Sequence, residues 1–199
     1  MKSKRIGIYS GAFDPVHAGH ITFALQAIRL SRLDEVYFLP ERKPRHKQGV
    51  EHFGHRVAMI KQALKPHSRF KLIELTDISF SIEYTLPKLQ RQFEGDQLVF
   101  LFGSDAVSTL GDWPKIERLL SSSEMIIGLR EHADEKRLKK QIEHLPVSPK
   151  SVTIISSYAP NVSSGKIRAA LRRGIKTDGL LMSVQRYSNQ HWLYVSLAQ

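Results

Sequence analysis

The chain has 199 residues, 41% of them hydrophobic, and a formal net charge of +11. This size suits one α/β domain with its own core, so we expect a single domain over residues 1–199. The absence of cysteine excludes disulfides, a thiolate nucleophile and thiolate metal ligands.

Short apolar runs alternate with amphipathic stretches along the chain. The pattern predicts strands near 5–9, 35–39, 70–75, 97–102, 124–129 and 152–155. It predicts helices near 17–31, 53–65, 84–93, 104–120, 133–144 and 165–173, followed by a helical tail at about 180–199. Alternation of this kind predicts an α/β fold, with a doubly wound parallel sheet and helices on both faces.

The segment from Ser10 to His20 reads SGAFDPVHAGH, and it joins the first strand to the first helix. Gly11 and Gly19 let the main chain approach a ligand closely. Such a turn lies at the carboxyl end of a strand, where the N–H groups and the dipole of the next helix attract an anion. His17 and His20 lie one turn apart and can donate to phosphoryl oxygens. The segment predicts a nucleotide phosphate site; the alternative is that one histidine caps the helix and the other packs on the surface.

This segment resembles the G-x-F-D-P-x-H-x-G-H signature of the nucleotidyltransferases related to class I aminoacyl-tRNA synthetases. The resemblance implies a Rossmann-like fold of the HxGH type, with His17 and His20 acting on the transferring phosphate. It also implies ATP contacts from the residues of the turn, namely Ser10, Gly11, Ala12, Phe13 and Gly19.

Three further segments narrow the resemblance to bacterial nicotinate mononucleotide adenylyltransferases. Residues 40–47 are similar to that family's P-x-x-P-x-H-K loop, and Tyr84-Thr85 to its S-Y-T segment. Gly103-Ser104-Asp105 follows an apolar run and precedes Trp113, as in the family. The resemblance implies that Lys47 lies on a flexible basic loop closing over the transferring phosphate, that Gly103 and Asp105 contact ATP, and that the mononucleotide meets Lys43, Tyr84, Thr85 and Trp113.

Residues 163–168, SSGKIR, resemble the S-S-T-x-I-R motif that holds the triphosphate of ATP. Either Ser163 or Ser164 can cap the helix that begins here, and Lys166 and Arg168 carry permanent positive charge. Taken alone, the segment is also typical of a surface helix with solvated basic residues. The resemblance assigns a catalytic role to Arg168 and ATP binding to Ser163, Ser164, Gly165, Lys166 and Ile167.

Together the motifs predict an adenylyltransferase that moves AMP from ATP to the 5′-phosphate of nicotinate or nicotinamide mononucleotide, releasing pyrophosphate, in NAD biosynthesis. An ionised phosphate is already nucleophilic, so neither a covalent intermediate nor a general base is needed. We expect Mg²⁺ to arrive with ATP, positioned with help from Asp14 or Asp105, and no protein-held metal. The expected partners are ATP and a pyridine mononucleotide, without nucleic acid or membrane, and a homo-oligomer remains open.

The chain departs from the family pattern at three positions. Gly165 stands where a threonine is usual and removes a hydroxyl from the phosphate site. Glu83 precedes Tyr84, and its carboxylate would repel an acidic pyridine substituent. Pro114 follows Trp113 and lacks the N–H that would recognise such an acid. The choice between the acid and the amide substrate therefore stays open.

Other functions fit parts of the sequence. Phosphopantetheine adenylyltransferase shares the first motif, and the charge of +11 also suits a basic RNA-binding protein or a non-catalytic nucleotide sensor. The histidine pairs 17/20 and 52/55 have zinc-like spacing but no nearby carboxylate set. No apolar run is long enough to cross a bilayer and none resembles a signal peptide, so we expect a soluble, cytoplasmic protein.

Overall fold

Six parallel strands form one sheet in the computed structural model, which describes residues 3–45, 47–129, 135–156 and 162–195. Along the sheet the order is β3-β2-β1-β4-β5-β6, so the direction in which the chain adds strands reverses between β1 and β4. The strands are β1 (Arg5–Gly11), β2 (Glu35–Pro40), β3 (Phe70–Leu72), β4 (Gln97–Gly103), β5 (Glu124–Leu129) and β6 (Val152–Ser156).

Helices cover both faces of this sheet. In β4, Val99 and Leu101 belong to one core, while Leu98, Phe100 and Phe102 belong to the core on the opposite face. A strand buried on both faces reads as a continuous apolar run, which is why residues 97–102 are so hydrophobic. The predicted doubly wound α/β fold is confirmed. The helices are α1 (Ala18–Leu30), α2 (Phe53–Leu64), α3 (Thr85–Gln92), α4 (Ser104–Leu110), α5 (Ile116–Ser122), α6 (Glu135–Glu143), α7 (Ser164–Arg172) and α8 (Met182–Gln190).

Two predicted elements are wrong in extent. The single helix expected over 104–120 is two helices, because Pro114 disfavours helical backbone at Trp113, and Lys115 then takes a φ of 62°. The strand expected over 70–75 ends its pairing at Leu72, although the Ile73 N–H still donates to the carbonyl of Phe38 at 3.0 Å.

Two predicted helices extend beyond the described part of the chain. Positions 133 and 134 of the helix expected at 133–144, and positions 196–199 of the tail, lie outside the described residues. Within the described part, the tail forms α8 and then turns over residues 191–194. No helix in the described ranges combines the length and the apolar character that crossing a membrane requires.

Candidate active site

The carboxyl ends of β1 and β4 bring two of the predicted segments to one edge of the sheet. Tyr9 lies opposite Leu101, so the same register places Gly11 level with Gly103. This is also the place where the strand order reverses, and open α/β sheets bind ligands in the crevice outside such a point. The turn after β1 and the start of α4 therefore border one crevice.

The two histidines of the first motif stack on each other at the start of α1. Their ring centroids are 3.7 Å apart, and the backbone N–H of His17 donates to Nδ1 of His20 at 3.2 Å. Because Nδ1 accepts this bond, a neutral His20 carries its proton on Nε2. His17 occupies the N-cap position and is 2% exposed, whereas His20 is partly exposed. His20 thus has a fixed tautomer in which Nε2 is the donor.

Phe13 supports the His20 ring from the protein interior. It is 2% exposed, and its ring meets His20 edge-on with centroids 5.0 Å apart. Tyr9 and Phe38 pack against Phe13 at 5.3 Å and 5.4 Å between centroids. Phe13 has a φ of 49°, a backbone conformation that non-glycine residues rarely adopt. The residue expected to contact ATP is therefore a buried platform beneath the imidazole.

The second motif lies directly against the first. Ser163 caps α7, its Oγ accepting from the Lys166 N–H at 3.2 Å, which decides between the two candidate serines. Ser164 Oγ instead donates to the carbonyl of Pro15 at 3.0 Å, and Arg168 Nη1 donates to the carbonyl of Asp14 at 2.7 Å. Segments about 150 positions apart in the sequence are therefore joined at the positive end of α7.

The surroundings of Gly165 leave space for a side chain. A β-carbon built at this exposed position would have no atom within 4 Å, so crowding does not require a glycine here. Lys166 is exposed beside it, while Ile167 is buried and anchors the helix to the body of the protein. Of the residues expected to bind ATP in this motif, Ile167 is thus placed in the interior.

Arg56 is a residue of the site that the sequence analysis missed. It has no exposed surface and donates to three carbonyls: Nη1 to Ala12 at 2.6 Å, Nη2 to Arg42 at 3.0 Å and Nε to Glu51 at 2.8 Å. Burial lowers the pKa of this guanidinium, and the carboxylates of Asp14 and Glu41 oppose that effect. Arg56 ties the turn after β1 to the basic loop after β2.

Glu41 begins that basic loop and is a second residue that the sequence motifs do not include. Its Oε1 accepts from Ser10 Oγ at 3.1 Å and its Oε2 from the Phe80 N–H at 3.4 Å. Burial raises the pKa of this carboxyl. Ser10, expected to contact ATP, therefore also fixes the loop to β1.

The basic loop reaches the tryptophan that follows α4. The guanidinium carbon of Arg45 lies 5.1 Å from the Trp113 ring centroid, and its Nη2 donates to the carbonyl of Phe80 at 3.1 Å. Lys43 and Lys47 are exposed on the same loop, and His46, part of the motif, lies outside the described residues. The loop and Trp113 are thus neighbours, which the prediction of one mononucleotide site requires.

The Tyr84-Thr85 pair is divided between surface and interior. Tyr84 is 66% exposed, whereas Thr85 is 1% exposed. The Thr85 hydroxyl donates to Asp77 Oδ2 at 2.8 Å and accepts from the Ser81 N–H at 3.0 Å. Thr85 therefore holds the turn before α3, and Tyr84 is the member of the pair that faces solvent.

Glu83, whose carboxylate we expect to repel an acidic pyridine substituent, is paired with a cation in the structure. Lys115 Nζ donates to Glu83 Oε1, forming a partly exposed ion pair. Lys115 reaches this partner from the left-handed turn after Pro114. The repulsion expected from Glu83 is thus offset by a cation that the broken helix supplies.

This chain is similar in sequence to a known protein family and to named adenylyltransferases over nearly its whole length. The cytidylyltransferase-like family model matches residues 8–170. The probable nicotinate-nucleotide adenylyltransferase of Neisseria gonorrhoeae is 32% identical over 199 residues, which cover 96% of this chain and 98% of the relative. The nicotinate-nucleotide adenylyltransferase of Bacillus subtilis is also 32% identical, with 97% of this chain and all of the relative covered.

Among solved structures, the fold is shared with the Plasmodium falciparum nicotinic acid mononucleotide adenylyltransferase complexed with NaAD. The TM-score is 0.80 at 21% identity, with 96% of this chain and 97% of the other covered. A Vibrio parahaemolyticus protein described as a putative nicotinate-nucleotide adenylyltransferase gives a TM-score of 0.68 at 18% identity, with 96% of this chain and 95% of the other covered.

Proposed function

Because this chain belongs to the cytidylyltransferase-like family, we propose that it transfers AMP from ATP to the 5′-phosphate of nicotinate mononucleotide and releases pyrophosphate, a step of NAD biosynthesis. The observation that carries the proposal is the contact between the two motifs. Ser164 and Arg168 bond to Pro15 and Asp14, so a triphosphate bound at the start of α7 would lie beside the turn that carries the histidine pair.

Catalysis by these residues needs only positioning and charge. The mononucleotide phosphate attacks the α-phosphorus of ATP, the bond to the bridging oxygen breaks, and pyrophosphate leaves on the opposite side. His20 donates from Nε2 to the transferring phosphate, beside His17, and Lys47 adds positive charge from the basic loop. Arg168 and the N–H groups of α7 hold the leaving pyrophosphate.

Mg²⁺ would enter this site with the nucleotide. Within the described ranges, no group of three or more His, Cys, Asp or Glu side chains is arranged to hold a metal. An ion that enters with a nucleotide is held mainly by phosphates and water. Asp105 is exposed in the first turn of α4, whereas the Asp14 carboxylate is buried. We therefore expect Asp105 to contact the ion, which would neutralise charge on the phosphates.

The charges around Trp113 favour the acid form of the pyridine substrate. Arg45 supplies a cation at the indole face, and Lys115 offsets the charge of Glu83. A pyridine ring beside Trp113 with a carboxylate substituent gains from the Arg45 charge, while an uncharged amide does not. We infer a preference for nicotinate over nicotinamide mononucleotide, with Arg45 in the place of the N–H that Pro114 lacks.

The test is a product assay. The protein and MgATP are incubated separately with nicotinate mononucleotide, nicotinamide mononucleotide and phosphopantetheine, and pyrophosphate and dinucleotide are measured. We expect most turnover with the first. Turnover only with phosphopantetheine would refute this function and indicate a phosphopantetheine adenylyltransferase. ATP binding without turnover would indicate a nucleotide sensor. Tight, salt-sensitive RNA binding without turnover would indicate an RNA-binding module.

Arg45→Met tests the preference itself. The variant is expected to lower the acid-to-amide ratio of kcat/KM about tenfold, since one charged contact is lost. Arg42→Met is the matched control, because the Arg42 guanidinium lies over Phe53, 4.3 Å from that ring's centroid, instead of over Trp113. An unchanged ratio in Arg45→Met would refute the role of Arg45.

A further inference from the structure

The segment after α8 returns to the first motif. Leu193 and Tyr194 are buried, and Tyr194 Oη donates to Asp14 Oδ1 at 2.7 Å across 180 positions of sequence. Burial and the Asp14 charge raise the pKa of Tyr194, so this hydroxyl stays a donor. Neither the helical pattern of the tail nor the motif itself predicts this contact.

Asp14 stands between Tyr194 and the arginine of the second motif. Its Oδ2 lies 3.5 Å from Arg168 Nη1, which makes its closer bond, at 2.7 Å, to the Asp14 carbonyl. The carboxylate is almost fully buried, whereas 27% of the Arg168 side chain is exposed. Neither Asp14 Oδ2 nor Arg168 Nε has a hydrogen-bond partner among the described residues. The guanidinium is thus held by the backbone and only loosely by the carboxylate.

The Tyr194 hydroxyl limits how tightly that ion pair can close. While Oδ1 accepts from Tyr194, the carboxylate is held in its present orientation. Without the hydroxyl, Oδ1 of this buried carboxylate would lose its donor. The carboxylate would then turn toward Arg168, whose buried Nε has no hydrogen-bond partner among the described residues, and form a two-point pair. Such a pair would consume the positive charge that a triphosphate needs.

We propose that Tyr194 is a positioning residue that acts through Asp14 to keep Arg168 available to the phosphates of ATP. The proposal rests on the proposed function, since it takes Arg168 to be a phosphate ligand. It gives the C-terminal segment a role in ATP affinity besides its role in the core.

The test is equilibrium binding of MgATP by calorimetry to the full-length protein, which needs no turnover. Tyr194→Phe is expected to raise the Kd for MgATP about tenfold, the lower end of what residues behind direct ligands contribute at metal sites. In enzyme assays, KM for ATP should rise while KM for the mononucleotide stays unchanged. Tyr187→Phe is the matched control, because Tyr187 on α8 contacts His55 Nδ1 at 3.0 Å, away from the motif.

Asp14→Asn separates positioning from a loss of folding. In that background the two-point ion pair cannot form, so adding Tyr194→Phe should leave the Kd for MgATP unchanged. A lower Tm for Tyr194→Phe with an unaltered Kd would show a merely structural role and overturn the proposal, as would equal effects in both backgrounds. If the wild type binds MgATP but makes no dinucleotide, the proposed function fails while this binding test still stands.

Discussion

Replacement of His20 is the perturbation whose consequences follow most directly from the structure. Alanine removes a preorganised donor at the transferring phosphate, which typically lowers kcat about 10²–10³-fold, or roughly 3–4 kcal/mol of transition-state stabilisation. It also removes the acceptor for the His17 N–H and the ring packed on Phe13. Some loss of folding stability, about 1 kcal/mol, is therefore expected as well.

Two further variants separate the loss of turnover from the loss of stability, because each keeps a polar group near only one of the two imidazole nitrogens. In His20→Asn the amide oxygen stands near the position of Nδ1, so the cap bond is kept and the outer donor is lost. In His20→Gln the amide nitrogen reaches the position of Nε2 and the cap acceptor is lost.

The assay is steady-state formation of pyrophosphate and dinucleotide, with urea unfolding measured on the same samples. We expect His20→Asn to be stable but as slow as alanine, and His20→Gln to be less stable but faster. Near-normal turnover in His20→Asn would refute the assignment of Nε2 as the donor.

Three other predictions concern the surroundings of the site. Arg56→Lys leaves at least one buried carbonyl without a donor and should lower the free energy of unfolding in urea by about 3 kcal/mol. The control Arg69→Lys, at an exposed residue, should lower it by less than about 1 kcal/mol. Equal losses in the two variants would contradict the bracing role of Arg56. Gly165→Thr should fit without clash and raise the free energy of unfolding by about 0.5 kcal/mol. Its added hydroxyl should lower KM for ATP about threefold. An unchanged KM would mean that backbone N–H groups already bind the phosphate in place of the hydroxyl. Raising NaCl in steady-state assays should raise KM for both substrates by screening the basic loop that carries Lys47, and salt-independent KM values would count against that loop.

The fold follows from the sequence where the apolar pattern is long and unambiguous. The six strands and their parallel arrangement are of this kind, since buried runs such as Leu98 to Phe102 satisfy both faces of a sheet. The break between α4 and α5 had a local signal in Pro114. A prediction from helical periodicity alone ignores this signal and joins the two helices into one.

Arg56 also had a signal in the sequence. It lies three, four and seven positions before Met59, Ile60 and Ala63, on the buried stripe of α2. A cation at such a position indicates a buried network, because an unpaired charge there would be too costly.

Other features of the site depend on contacts that no local pattern contains. Tyr194 is hydrogen-bonded to Asp14, which lies 180 positions earlier in the sequence. Glu41, directly after the next strand, is hydrogen-bonded to Ser10. The choice of Ser163 as the cap depends on Ser164 finding the carbonyl of Pro15. Motif spacing predicts which residue types gather, whereas tertiary packing decides which atom of each is used.

A crystal structure with a non-hydrolysable ATP analogue and Mg²⁺ tests the central claim most directly. We predict one triphosphate whose α-phosphate accepts from His20 Nε2 while its β and γ phosphates lie at the N-terminus of α7 beside Arg168. A triphosphate that contacts only one of the two motifs, or that binds away from the crevice between β1 and β4, would contradict it.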